Sequence, residues 1–211
     1  MIQQGHALTA TLTSLMPPTF PFLTLLVSGG HTMLLLATSS TSFQMLAKTG
    51  DISIGSESFR LSKSPQPLMV SHSYSQAFDK VSRCLKIPWS LDSFSSPIGA
   101  GPMLEHVAST YDPAASSVHL PSFPVPVPGV LSFSYGGLLS AVQRYVEQTG
   151  AEAVTEGPVR AAIAHAFQHA AVLQLEKKIS LALSLCEKRG VQVQTMVASG
   201  GVASNRYLRS R

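Results

Sequence analysis

Two apolar runs of strand length, divided by a Ser-Gly-Gly-His turn, constrain this chain more than any other feature. PFLTLLV (21–27) and TMLLLA (32–37) are almost continuously hydrophobic, and Ser28, Gly29, Gly30 and His31 lie between them. A strand covered on one face alternates apolar and polar residues. A strand covered on both faces does not, so this pattern predicts two neighbouring strands inside an α/β layer structure. Glycines in the intervening turn expose backbone N–H groups with no Cβ in the way, a concavity that can hold a phosphate or carboxylate. The same glycines also suit a plain hairpin turn.

A second arrangement of this kind sits near residue 200. TMVAS (195–199) reads as a short strand, followed by Gly200, Gly201, Val202, Ala203, Ser204 and Asn205, then a helix start. Between the two, Gln76–Leu85 has helical spacing, with Ala77, Val81, Cys84 and Leu85 on one face and Asp79 off it. Residues 88–102 are rich in turn formers and end in Gly99, Ala100, Gly101 and Pro102. Four prolines between 119 and 130 exclude a central strand there. The longest helix is expected from about Val159 to Lys188, with Pro158 at its start, Gly190 at its end and Gln174 on its apolar stripe. His165 and His169 share one side of it, but no HExxH pattern and no third ligand accompany them. The two glycine turns suggest two related lobes around one cleft.

Composition narrows the function classes. Apolar residues make up 45% of the 211, enough for a sizeable core, and charged residues 12%, about half the ~25% of a typical soluble domain. No apolar run approaches the ~18 residues of a membrane span. The net charge of +4 permits a nucleic-acid partner without requiring one. Cys84 and Cys186, with no CxxC, argue against a disulfide framework or a cysteine zinc site. The first Lys is Lys48 and the first Arg is Arg60, so residues 1–47 do not read as an Arg-rich presequence.

Taken in order, LLVSGGHT (25–32), AFDKVSR (77–83), GAGP (99–102), FSYGGL (133–138), AFQHAAV (166–172) and VASGGVASNRYLR (197–209) resemble the tRNA N6-adenosine threonylcarbamoyltransferases. This is the TsaD or Gcp family, formerly described as O-sialoglycoprotein endopeptidases. GHALT (5–9) and DISIG (51–55) look like its mitochondrial eukaryotic branch. The resemblance implies a two-lobed actin-like ATPase (RNase H-like) α/β fold, here expected to be incomplete at both ends. It implies transfer of a threonylcarbamoyl group from threonylcarbamoyl-AMP to N6 of an adenosine beside the tRNA anticodon. The implied partners are tRNA, threonylcarbamoyl-AMP and a second copy in a homodimer, with no membrane, and the implied location is the mitochondrion.

The family's substrate-contacting positions fall on Leu26, Val27, Ser28, Gly29, Gly30, Asp79, Gly101 and Asn205. The chemistry of these residues agrees: glycine-turn N–H groups suit phosphate or carbamoyl oxygens, Asp79 can accept from ribose hydroxyls, and Asn205 can donate and accept. No catalytic side chain is assigned. The family holds one divalent metal ion, Fe or Zn, through a His-x-x-x-His pair and a downstream Asp. His6 matches the second histidine, Ile2 stands where the first would be, and the Asp has no counterpart up to Arg211. One ligand of three does not fix a metal, so the 211-residue chain by itself is expected not to modify tRNA. The alternatives are an actin-like nucleotide-binding module without transferase activity, or an inactive fragment. A metalloprotease is disfavoured by the lack of HExxH.

The whole chain, 1–211, reads as one partial domain of this family, with 56–76 as an insertion or retained intron. The family motif passes from DISIG through one acidic residue into AFDK. Here seven serines and two prolines intervene between 56 and 75, with neither helical nor strand periodicity. Transcript sequencing tests the intron reading: most reads should lack this stretch, and a dominant transcript that retains it refutes the reading.

Overall fold

The computed structural model describes residues 14–28, 31–51, 77–88, 99–150 and 152–211. Strands β1 (Phe22–Val27), β2 (Thr32–Ala37) and β3 (Phe43–Lys48) form an antiparallel meander. Strand β4 (Met196–Ser199) lies parallel to β1 on its other side, giving the order β3-β2-β1-β4. Between β3 and β4 come helices α1 (Ala77–Cys84), α2 (Ala100–Ser109), α3 (Gly136–Thr149) and α4 (Gly157–Lys188), and the short α5 (Arg206–Arg209) follows β4. A parallel partner needs a long crossover, and the helices supply it. The mixed α/β class matches the expectation from sequence.

Continuous hydrophobicity in β1 and β2 has the expected cause. Leu23, Leu25 and Val27 join Leu34 and Leu36 in the main core with Phe78, Val81 and Phe167. Leu26, Met33 and Leu35 form a second buried cluster with Phe43 against it. Every residue of both strands is buried. Full burial of such side chains stabilises by roughly 1.5–3 kcal/mol each, so these two strands are the sheet's strongest elements.

Helix α4 is buried on most sides over its first half, where Ala161–Ala164, Ala166–Gln168, Ala170–Val172, Gln174 and Leu175 are all inaccessible. Alanines let neighbours approach closely: Phe78 of α1 meets Phe167 edge-on, with ring centroids 5.0 Å apart. Sequence periodicity did not mark α2 or β3. The run Gly99-Ala100-Gly101-Pro102 resembles a turn, yet the first N–H groups of a helix lack intrahelical partners, so Pro102 in the first turn sacrifices no bond. In β3 the pattern is broken by an irregularity opposite Leu34 and Leu35, and only Ala47 is buried.

Two polar clamps fasten the FSYGGL segment. The buried Gln174 amide donates to the Ser134 carbonyl (2.9 Å) and accepts from its N–H (2.8 Å), as a neighbouring strand would. The Asp51 carboxylate accepts from Ser134 Oγ (2.7 Å), Tyr135 N (3.0 Å) and Gly136 N (2.9 Å), capping α3. A Cβ on Gly136 would lie 2.7 Å from Asp51 Oδ2, so a side chain there would make the carboxylate shift.

Replacing Gln174 by Leu strands both backbone groups of Ser134. At ~1–3 kcal/mol per unsatisfied buried group, urea unfolding of Gln174→Leu should show a loss of about 2–4 kcal/mol, with Gln174→Glu intermediate because the acceptor survives.

Candidate substrate site at the glycine turns

The carboxyl ends of adjacent parallel strands are where ligands bind open α/β sheets. Here β1 and β4 are such a pair, in register from Leu23 opposite Met196 to Leu26 opposite Ser199. The residues that follow them, Ser28 and Gly200, therefore lie side by side. Parallel pairing delivers both to the same end of the sheet.

The contact between them is backbone on backbone. Gly200 has φ +104°, and a Cβ there would stand 2.3 Å from the Val27 carbonyl oxygen and 2.8 Å from its carbon. No side chain fits this contact, so the first glycine of the second motif is a packing residue. Gly201 differs: nothing lies within 4 Å of where its Cβ would be. Val27 is buried at the end of β1, as is Leu26 beside Met33 and Leu35. Both contribute backbone and packing to a site rather than reachable side chains. Ser28 closes its own turn: its N–H donates to the His31 carbonyl (2.8 Å) and its Oγ accepts from His31 N (3.1 Å). Gly29, Gly30 and His6 lie outside the described residues, as does the 56–76 segment.

Asn205 is buried, and its amide is committed to protein partners. Nδ2 donates to Glu105 Oε2 (3.0 Å) and Gln168 Oε1 (3.4 Å), while Oδ1 accepts from Leu208 N (2.8 Å) as the cap of α5. Glu105 Oε1 accepts from Arg206 N at 2.7 Å. Thus Glu105, which the sequence reading passed over, clamps the whole turn after Gly201. Its only advance signal was a carboxylate one helical turn beyond Gly101. Gly101 itself lies in the first turn of α2, half-buried. Asp79 is buried in α1 and pairs through Oδ2 with Arg83 Nη2 at 3.0 Å. Helices α1 and α2 are tied where Ser82 Oγ donates to the Ala100 carbonyl (2.9 Å).

These contacts form one line. Ser28 and Val27 meet Gly200; the Gly201–Ser204 turn leads to Asn205; Asn205 meets Glu105 of α2; and the start of α2, with Gly101, meets α1, which carries Asp79. The six candidate positions within the described residues are thereby joined through at most a few intervening contacts.

This ordered set of motifs has counterparts elsewhere. Residues 69–211 match the family model described as TsaD, tRNA N6-adenosine threonylcarbamoyltransferase. The chain belongs to the tRNA N6-adenosine threonylcarbamoyltransferase family. It is 36% identical over 208 residues to a protein of that name from Methylibium petroleiphilum, covering 99% of this chain and 48% of the relative. The mitochondrial protein of that name from Xenopus tropicalis is 32% identical over 213 residues, covering 98% and 46%. A Methylobacillus flagellatus relative is 33% identical, covering 99% and 50%. The chain spans about half the length of these relatives.

The histidine pair of α4 is used otherwise than for metal. His169 Nδ1 hydrogen-bonds the Tyr207 hydroxyl at 2.8 Å. The His165 ring lies against those of Tyr111 and Tyr207, with centroids 5.2 and 5.8 Å away. Burial pushes the His165 imidazole below its ordinary value, partly opposed by a backbone contact at Ala108. Among the described residues no three His, Cys, Asp or Glu side chains stand close enough to hold a metal. The metal of the family resemblance therefore finds no fit in the described residues.

The two glycines make opposite forecasts. Gly200→Ala meets the Val27 backbone in a strained conformation and should lower stability by about 2 kcal/mol or more. Gly201→Ala should change it by under ~1 kcal/mol. Thermal melts of the two variants decide this.

Proposed function

We propose that the adjoining glycine turns bind an adenylate, and that the protein takes part in threonylcarbamoyl transfer to N6 of a tRNA adenosine. The observation that carries this is the backbone contact of Gly200 on Val27. It supports the reading by setting the residues at the start of the two motifs, Ser28 and Gly200, together at the carboxyl end of a parallel strand pair in a chain of this family.

In the proposed reaction N6 of adenosine attacks the carbamoyl carbon of threonylcarbamoyl-AMP. The new C–N bond forms, the C–O bond to phosphate breaks, AMP leaves, and N6 loses a proton. Negative charge grows on the carbamoyl oxygen and then on the departing phosphate. Backbone N–H groups of the Gly29-Gly30 turn oppose that charge in this proposal, while the Ser28 N–H is spent on the His31 carbonyl. Asp79 is available to ribose hydroxyls by exchanging its surface partner Arg83, whose side chain is 61% exposed. Asn205 acts as a positioning residue, since its amide is already spent on Glu105, Gln168 and Leu208.

Three further elements belong to the proposal and rest on the family resemblance. They are a divalent metal ion with His6 as one ligand, homodimer formation, and a mitochondrial location, the last supported by a relative named as mitochondrial. A nucleotide-binding module without transfer activity is not favoured, because the relatives carry the transferase name over nearly all of this chain.

Gly201 gives a clean test because its Cβ position is open. Gly201→Val should leave the melting temperature near that of the parent, yet weaken AMP binding at least ~10-fold by closing backbone approach, measured by calorimetry. Gly29→Val should weaken it similarly. Unchanged affinity in both places the adenylate elsewhere.

A further inference from the structure

A cavity of about 560 Å³ opens between α2, α4 and α5. That volume falls within the ~300–1,000 Å³ of small-ligand sites. Three ring side chains, Tyr111, His165 and Tyr207, meet one another on its wall. The hydrogen bond from His169 fixes the Tyr207 ring in place. His165, its imidazole held below the ordinary value by burial, is engaged with the Ala108 backbone, which leaves its second ring nitrogen for a ligand. Arg206 is exposed on the rim and has no carboxylate partner among the described residues. Glu105 also lines the space, but its carboxylate accepts from Asn205 and the Arg206 N–H.

We propose that this cavity holds one unstacked base of an RNA strand, a nucleotide flanking the acceptor adenosine. The rings supply the π surface on which any base stacks, worth ~1–3 kcal/mol per base. His165 meets the edge of the base, and Arg206 meets the adjoining phosphate, the group its planar guanidinium suits. Single-stranded RNA is recognised in this way, by splayed bases on aromatic or histidine rings. Glu105 lines the cavity and also bonds Asn205 at the end of the Gly201–Ser204 turn, so an RNA seated here lies next to that turn. The RNA as ligand rests on the transferase reading, whereas the pocket for a planar ring rests on the geometry.

The test uses the full chain and a labelled single-stranded RNA of about seven nucleotides, within the ~4–16 of single-strand binders, followed by fluorescence anisotropy. Ser109→Trp and His106→Trp change exposed residues on the α2 face of the cavity, so the fold should survive, as circular dichroism will show. Each should weaken RNA binding at least ~10-fold by filling the stacking space, while AMP affinity at the glycine turns stays as in the parent. Arg206→Ala should weaken binding ~3–10-fold and reduce the salt slope by about 0.7. Tyr207→Phe, which keeps the ring, should bind within ~2-fold of the parent. RNA affinity unchanged by both tryptophans overturns the proposal, as does a parent chain that binds no RNA. Competition by free AMP that disappears in the tryptophan variants assigns the pocket to a free nucleotide and overturns the RNA assignment. The transferase reading fails separately, through unchanged AMP binding in Gly201→Val and Gly29→Val.

Discussion

The absence of a side chain at Gly200 is the constraint on which the site depends. Its Cα sits where any Cβ would enter the Val27 carbonyl. Moving it outward would separate the ends of β1 and β4, and with them the two turns. Parallel pairing of these strands sets the neighbourhood, but pairing alone leaves the following loops free to diverge. The backbone contact beyond the last paired residues keeps them together. Glycine takes this positive φ freely, whereas any residue with a Cβ would be strained there.

Two buried amides and two more accessible carboxylates perform much of the remaining alignment. Gln174, Glu105 and Asp51 bond to backbone, and Gln168 to the Asn205 amide, across elements far apart in sequence. In a chain with few charges, such contacts specify arrangement more than they add stability, since a net hydrogen bond contributes only ~0.5–1.5 kcal/mol whereas leaving a buried group unpaired costs more. Lys178 follows the same logic. Buried in α4, it donates to the Val127 carbonyl and holds that β-branched residue at φ +43°, anchoring the proline-rich segment. Burial pushes its ammonium below the ordinary value, as expected of a cation whose described contact is a carbonyl.

The histidines of α4 show how one spacing serves different chemistry. An i, i+4 pair is compatible with metal, and only the company it keeps decides. Here the company is Tyr111 and Tyr207, so the pair becomes part of an aromatic wall.

Sequence by itself determined the doubly covered strands β1 and β2, the helices at 77–84 and 157–188, the place of both glycine motifs, and the family. Each is a local signal: hydrophobic runs, helical periodicity, glycine and proline punctuation. It did not reveal α2, whose opening Gly-Ala-Gly-Pro imitates a turn, or β3, whose burial is too partial to leave an alternating pattern. It placed Gln174 on an apolar stripe, where the structure finds a paired amide. Only tertiary structure decided that Gly200 packs on Val27 and Ser28 and that Asn205 is held by Glu105, because these facts depend on residues about 100 or more positions apart being brought together by strand pairing and helix packing.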